Sequence, residues 1–522
     1  MSTLPLDLLM FAGLCLFVLS GAPIAFVLAG TAALFAVIGW WAGVLNFNLI
    51  GALPMRVFST MNSETLVAIP LFVFMGMVLE RARIAEDLLR TMGALFGRMR
   101  GGLGVSVTLV GALLAASTGI VGATTVTMGL MALPVMLRYG YGPAYSSGII
   151  CSAGTLGQII PPSTVLIIMG EVLASAYQQS QQAQGNFAAE ALSVGQLFAG
   201  SLLPGLMLVA IYIVYQLIVS WLRPDVAPAL PPEALEVDGH APSLRDLLRV
   251  LVPPLALIFA VLGSILGGVA TATEAASVGA VGATLLAGLR NGRRHWPVWT
   301  AVGGLAVLIF MAVNFDLRPG RLDAPAIDGT ILNGALIVAA IAGLALLIVW
   351  REIWGSDVLK PAMLSTARTT SMIFTIVVGA LLFSLVFRGL GGDLRIKGLL
   401  EAAPGGPHGA MLVVLVMMFF LGMFLDYVEI TIIAIPVVGP PILASGVDPI
   451  WFGVMIAMVL QTSFLTPPVG YTLAYLRSVA PPSVTTQAIW LGAVPFIGLQ
   501  ILAVVIIYFI PALTTWLPGL LF

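Results

Sequence analysis

Apolar runs of about 20 residues recur from one end of the chain to the other, separated by short polar or Gly/Pro-rich stretches. Each is long enough to cross a bilayer as a helix. The pattern predicts helices near residues 6–20, 22–42 and 64–80, and a Gly- and Ser-rich apolar pair over 102–138. A segment broken by two prolines covers 144–171, and a helix follows at 196–221. The one convincing linker is the polar, Pro-rich interval 222–246, which contains "RPDVAPALPPEALEVDGHAPS". Helices resume at 247–267, 270–289, 299–313, 331–350 and 366–387. A second apolar pair (408–445), a second double-proline segment (450–476) and a helix at 490–517 complete the pattern.

The two halves match. "GTLGQIIPPST" (154–164) returns as "QTSFLTPPVGY" (461–471), which places Pro161 against Pro467 at an offset of 306. Pro134 falls against Pro436 at 302, and "GAPIAFVLAGTAA" (21–33) against "GGVATATEAASVG" (267–279) at 246. The jump in offset is filled by two apolar runs near 291–350, read as an inserted transmembrane hairpin. Suppose 102–138 and 408–445 are hairpins that enter and leave on one side. Each repeat then crosses five times, and the second is inverted relative to the first, as in many secondary transporters. The expected fold is an all-α polytopic membrane protein with two inverted-topology repeats, 1–221 and 247–522, joined by a cytoplasmic connector at 222–246. Each repeat carries a re-entrant hairpin and a Pro-Pro broken helix. With the N-terminus outside, one set of loops holds 16 Lys and Arg and the other 6. The basic-rich side is the cytoplasmic one, so both termini are expected in the periplasm.

Composition narrows the function. Of the 522 residues, 60% are hydrophobic and 9% charged, against roughly 25% charged in soluble domains. The sequence contains no sizeable soluble domain and no basic stripe that would suggest nucleic acid. Cys15 and Cys151 lie in apolar segments and make neither a disulfide framework nor a metal site. His240, His295 and His408 are scattered in polar stretches. There is no Ser-His-Asp arrangement and no Walker loop. "GALFGRMRGGLG" is basic and Gly-rich but lacks the phosphate-loop pattern. An enzyme is therefore not expected. "MSTLPLD" has no Lys or Arg before the first apolar run, so the first helix is expected to be retained rather than cleaved.

The chemistry concentrates at four points. Pro161 and Pro162 supply no N–H donors and clash with the preceding turn. Ile160, before a proline, is pushed out of the helical region, and Gly154 and Gly157 add backbone freedom. Irregular backbone at membrane depth survives only where protein or a watery cavity covers it. Opened carbonyls suit a hard cation such as Na+, and a half-helix N-terminus suits an anion. The same holds at Gln461, Thr462, Ser463, Thr466, Pro467 and Pro468. The hairpin tips are the natural partners. "AASTGIVGATT" (115–125) contains Ser117, Thr118, Gly119, Gly122, Thr124 and Thr125, and "FLDYVEIT" (424–431) contains Asp426, Glu429 and Thr431. Acids inside a membrane are costly and point to function, although a wet interface or a helix cap also accounts for Asp426 and Glu429, and packing or capping for Glu274. The candidate substrate- and ion-binding set is Ser117, Thr118, Gly119, Thr124, Gly154, Thr155, Gly157, Pro161, Pro162, Ser163, Asp426, Glu429, Thr431, Gln461, Thr462, Ser463, Thr466 and Pro467.

These residues carry a resemblance. "IIPPSTVLIIMGE" (159–171), "TEAASVGA" (273–280), "GVDPIWFGV" (446–454) and "TPPVGYTLAYL" (466–476) resemble the large membrane subunit of tripartite ATP-independent periplasmic (TRAP) transporters. The likeness covers nearly the whole chain, with the four motifs in order. "ASTGIVGATTVTMG" and "LQTSFLTPPVGY" look most like the branch labelled for mannitol or chloroaromatic compounds. The resemblance implies an elevator-type importer in the bacterial inner membrane, driven by a Na+ gradient and using no cofactor. It implies two protein partners, a periplasmic substrate-binding protein and a small four-helix membrane subunit. The implied substrate is a small organic acid, with a monocarboxylate or 2-oxo acid as the expectation. Sodium sites are implied between each hairpin tip and its neighbouring broken helix, which assigns Na+ to Ser117, Gly119, Gly157, Thr462 and Thr466. Many relatives carry a Ser-Gly-Ser run with a downstream Asp at the first tip. Here the run reads Thr118-Gly119-Ile120, with Thr124 at the Asp position. The inserted hairpin is absent from shorter members. The alternative reading is a passive channel or a non-transporting membrane scaffold. A channel would need a continuous polar stripe, whereas the polarity here gathers at matched points.

Overall fold

The computed structural model describes residues 5–18, 20–235, 243–315 and 326–522. Residues 236–242, with His240, and 316–325, with Arg318 and Arg321, lie outside the described residues. The first half runs α1 (Leu6–Val18), α2 (Ile24–Trp41), α3 (Leu53–Met61), α4 (Glu64–Arg81), α5 (Ile84–Phe96), α6 (Gly102–Thr118), α7 (Val121–Arg138), α8 (Pro143–Thr155), α9 (Thr164–Ala183) and α10 (Val194–Leu222). The second half opens with α11 (Leu244–Leu266), α12 (Ala272–Asn291), α13 (Trp296–Asn314), α14 (Ala326–Trp354), α15 (Leu359–Gly389) and α16 (Gly392–Glu401). It continues with α17 (Gly406–Leu421), α18 (Tyr427–Ala444), α19 (Pro449–Leu465), α20 (Tyr471–Val479), α21 (Thr486–Phe509) and α22 (Ala512–Leu521). No strand occurs among the described residues. Ten of these helices are long and apolar enough to cross a membrane.

The helix starts follow from local chemistry. Ser193 with Gln196, Ser243 with Asp246 and Thr271 with Glu274 form capping boxes at α10, α11 and α12. Glu274 therefore caps its helix, accepting from the Thr271 N–H at 2.8 Å. Pro143 and Pro449 open α8 and α19, where a missing N–H costs nothing. Gly101 and Gly405 precede the two hairpins with φ of +75° and +94°, a conformation only glycine adopts freely.

Helix α7 and helix α18 are each 18 residues long and begin at Val121 and Tyr427. Together with the starts of α8 and α19, this sets an offset of 306 from the second hairpin arms to the double prolines, against 304 at the hairpin starts Gly102 and Gly406. That register pairs Pro134 with Pro440 rather than with Pro436. Packing alternates between the halves: α4 lies on α12 and α2 on α15, while α9 lies on α18 and α7 on α20. Helix α21 covers α8 and α19.

Several expectations are corrected. The 490–517 run is two helices, α21 and α22, parted at Ile510 and Pro511. The first double-proline segment continues to Ala183, beyond 171. Three short helices, α3, α5 and α16, were not anticipated from apolar runs. Helix α5 buries Leu88, Leu89 and Met92 and turns Arg90 outward. The interval 222–246 is not a free linker where it is described. Ala227 is buried, the Gly101 N–H donates to the Ala227 carbonyl (3.0 Å), the Gly142 N–H to that of Val226 (3.0 Å) and the Leu230 N–H to that of Gly97 (2.8 Å). The connector thus straps the open end of the first hairpin. In the inserted pair, α13 and α14 pack together where Gly304 faces Ala342, and α14 meets α12 where Gly288 faces Val349. Their outer faces stay apolar and exposed, as at Trp299 and Phe310. Two ion pairs tie opposite ends of the bundle. Asp7 pairs with Arg395, and Asp87 pairs with Arg290 at 2.8 Å.

Candidate functional site

The first break begins where α8 ends at Thr155. A single 3-10 turn, Leu156–Gln158, leads to Pro161 and Pro162, joined by a cis peptide, and α9 starts at Thr164. Every residue from Cys151 to Gly170 is buried. The second break has the same plan: α19 ends at Leu465, Thr466 follows, Pro467 and Pro468 are joined by a cis peptide, and α20 starts at Tyr471. It is more open, with Pro468 and Val469 exposed.

Each hairpin tip is seated on the break of its own half. At the first, Gly119 turns with φ of +62°, and its carbonyl accepts from Thr164 Oγ1 at 3.2 Å. A Cβ on Gly119 would lie 2.8 Å from the Thr164 nitrogen, so only glycine permits this approach. Gly157 packs on the hairpin arm, 3.3 Å from the Ala115 carbonyl oxygen to the position a Cβ would take. At the second tip, Gly422 lies against Ser463 Oγ, and the Tyr471 hydroxyl donates to the Phe424 carbonyl at 2.7 Å.

The candidate hydroxyls point their hydrogens into their own helices. Ser117 Oγ donates to the Leu114 carbonyl (2.8 Å), Thr124 Oγ1 to that of Ile120 (3.1 Å), Thr462 Oγ1 to that of Met458 (2.9 Å), Ser463 Oγ to that of Leu460 (2.7 Å) and Thr466 Oγ1 to that of Thr462 (2.9 Å). The oxygens of Ser117, Thr462, Ser463 and Thr466 keep lone pairs for another partner. The side chain of Thr118 lies outside the described residues. Ser163 Oγ and Thr431 Oγ1 are buried with no hydrogen-bond partner. Buried polar atoms are nearly always satisfied, so these oxygens can each take a hydrogen bond from a further partner. Neutral oxygens of this kind suit a hard monovalent cation better than a transition metal.

Two acids stand apart from that set. The Asp426 N–H donates to Glu429 Oε2 at 2.9 Å, and the pair forms a capping box at the start of α18. They fix the tip's exit angle while staying half-buried beside it. Thr155 and Gln461 serve as a cross-brace. Gln461 Nε2 donates to Thr155 Oγ1 at 3.0 Å, as does Gln500 Nε2 at 3.2 Å, and Gln500 Nε2 also donates to the Tyr212 hydroxyl at 2.7 Å. Gly154 lets α8 close against Thr125.

Sequence reasoning left out several residues that the fold brings to these junctions. Thr125 Oγ1 and Gln158 Oε1 are buried and unpartnered beside the first break. Thr125 was in the quoted tip and Gln158 in the quoted motif, so their polarity was the available signal. Tyr471 closes the motif "TPPVGY", and its ring gave no hint of a tether to Phe424. Gln500 and Tyr212 sit in long apolar helices and carried only the signal of a polar side chain at membrane depth.

Comparison with known proteins follows this geometry. Residues 11–315 and 327–513 match the family described as "Tripartite ATP-independent periplasmic transporter, DctM component". The C4-dicarboxylate TRAP transporter large permease protein DctM of Vibrio cholerae is 28% identical over 462 residues, covering 88% of this chain and 86% of that protein. The ectoine TRAP transporter large permease protein TeaC of Halomonas elongata is 24% identical, covering 93% of this chain and 94% of its own. Among solved structures, the YdaH transporter of Alcanivorax borkumensis superposes with a TM-score of 0.54 at 14% identity, over 91% of each chain, and so shares the fold. The DctM and TeaC relatives are permease subunits rather than enzymes. With both hairpins, both breaks and nearly the whole length inside the match, the chain belongs to the DctM family, the multi-pass large permease component of TRAP transporters.

Proposed function

We propose that this chain is the permease of a sodium-coupled, binding-protein-dependent importer of small organic acids, working by an elevator displacement. The observation that carries the reading is the seating of each hairpin tip on a double-proline break, at Gly119 with Thr164 and at Phe424 with Tyr471. Broken helices facing hairpin tips gather neutral oxygens for cations and free N–H groups for an anion at one depth. Na+ is assigned to Ser117, Gly119 and Gly157 at the first junction and to Thr462 and Thr466 at the second. The organic acid is assigned to Thr431 and Ser163, whose buried oxygens have no hydrogen-bond partner.

The repeat reading supports this assignment. The offset of 306 shared by α7 with α18, α8 with α19 and the double prolines, and the exchanged packing of α2, α4, α12 and α15, are what two inverted halves related by an in-plane axis would give. The hairpins and broken helices then form the moving body, with α21 carried along by its bond to Thr155. Helices α2, α4, α12 and α15 form the scaffold. A periplasmic binding protein and a small membrane subunit complete the assembly, as the word tripartite in the family's description implies. Relatives named for C4-dicarboxylates and for ectoine both carry carboxylates, which supports a small carboxylate here, including a monocarboxylate or 2-oxo acid.

Proteoliposomes holding the chain, its small membrane partner and the binding protein test the reading with labelled organic acids. Uptake is expected to require both an inward Na+ gradient and the binding protein. Uptake that is linear in concentration and indifferent to sodium would instead identify a passive pathway.

A further inference from the structure

A cavity of about 400 Å³ lies between α3, the start of α4, α9, α15 and α18, and its lining includes none of the residues that join a tip to a break, although Ile432 directly follows Thr431. Two arginines face it, Arg56 from α3 and Arg388 from the end of α15. Neither makes an ion pair among the described residues. Arg388 is held in place by an unusual acceptor. In a helix the Pro436 carbonyl would accept from the N–H four residues on, but that residue is Pro440, which has none. The Arg388 Nη2 group donates to this orphaned carbonyl at 2.7 Å and to Gln179 Oε1 at 3.1 Å. Its second amino group and Nε have no partner among the described residues, and neither does the Arg56 guanidinium, although the Arg56 carbonyl accepts from Thr60 Oγ1 at 2.9 Å. Glu171 also lines the cavity, accepting from Ser63 Oγ at 3.0 Å, so the lining carries two cations and one acid. Ser59, Thr60 and Ser384 add hydroxyls.

Two like charges kept in one partly buried cavity repel each other and lose hydration. An anion relieves both costs. Guanidinium groups bind carboxylates through paired N–H donors, and the volume is within the range of small-molecule sites. We propose that this cavity is a second binding site for a small carboxylate, held between Arg56 and Arg388 and separate from the hairpin-tip junctions. The choice of a carboxylate rests on the organic-acid reading above.

The test is protection of Arg56 from phenylglyoxal, read by mass spectrometry on the purified chain in nanodiscs without sodium. Succinate, pyruvate and the uncharged succinamide serve as probes, with chloride matching ionic strength. Succinate or pyruvate is expected to slow modification of Arg56 several-fold, and succinamide to leave it unchanged. In Arg388→Gln, Arg56 should stay reactive and lose its protection, while Arg388→Lys should keep a weaker effect. Arg56 modified at one rate in every condition would overturn the site. The assay needs neither sodium nor transport, so it separates the two readings. Protection without sodium-driven uptake would overturn the importer alone, and sodium-driven uptake without protection would overturn this site alone.

Discussion

Gly154 has no side chain because Thr125 fills the space that one would need. A Cβ there would overlap Thr125 Oγ1 and stand 3.2 Å from its Cβ. The contact joins the broken helix to the hairpin arm at the level of the first junction, so its tightness sets how the tip sits on the break. Gly154→Ala is expected to cost about 1–3 kcal/mol through overpacking, seen as a lower apparent melting temperature in detergent. The Thr125 hydroxyl has no hydrogen-bond partner, so deleting it strands no other group. Thr125→Ala should therefore restore part of the stability lost in Gly154→Ala. A double variant no more stable than Gly154→Ala would show that the clash lies elsewhere. At this scale the sequence was a partial guide. Asp426 and Glu429 stand three apart, the spacing of a capping box, and the cap was legible from that spacing. Thr155 and Gln461 occupy matched positions, but a repeat offset does not say that the two side chains meet at 3.0 Å.

Hairpins and breaks are the elements to which the proposed function assigns ion binding, and their hydroxyls share one arrangement. Ser117 and Thr466 each donate to a carbonyl of their own helix, which turns the oxygen lone pairs away from that bond. If those lone pairs bind sodium, Ser117→Ala and Thr466→Val should raise the Na+ concentration needed for half-maximal uptake. A purely structural role would lower the amount of folded protein and leave the sodium dependence of the remainder unchanged. Elements of this kind were readable because proline and glycine act locally: the hairpin bounds 102–138 follow from glycine and charge at its ends, and both breaks from paired prolines. Helices α3, α5 and α16 were missed because a window of membrane-span length averages short amphipathic helices into their polar surroundings. The connector's tethering was missed for a different reason. Its prolines look like a linker, but its carbonyls at Val226 and Ala227 are taken by the base of the first hairpin, a tertiary fact with no local mark.

At the scale of the whole molecule, the proposed elevator displacement would run along the contact of α9 and α18 with α4 and α15, where a few polar ties cross. Helix α4 meets α7 where Thr127 Oγ1 donates to Glu80 Oε1 at 3.0 Å, and Ser63 Oγ, just ahead of α4, donates to Glu171 Oε1 on α9 at 3.0 Å. Arg388 clasps Pro436 across the same boundary. Apolar faces slide at modest cost because they have no directional bonds to break, whereas a covalent tie does not slide. Ser63→Cys with Glu171→Cys, in a background where exposed Cys15 and buried Cys151 are replaced, places two thiols across this boundary. The background must first be shown to transport. Bridging the pair with mercury or an oxidant should then abolish uptake, and dithiothreitol should restore it. Each single-cysteine variant should be unaffected by the same treatment, which separates a tether from simple thiol modification. Full uptake by a fully bridged protein would mean that α9 does not travel relative to α4. Substrate would then have to cross by local movement of the hairpin tips, with the body of the transporter at rest.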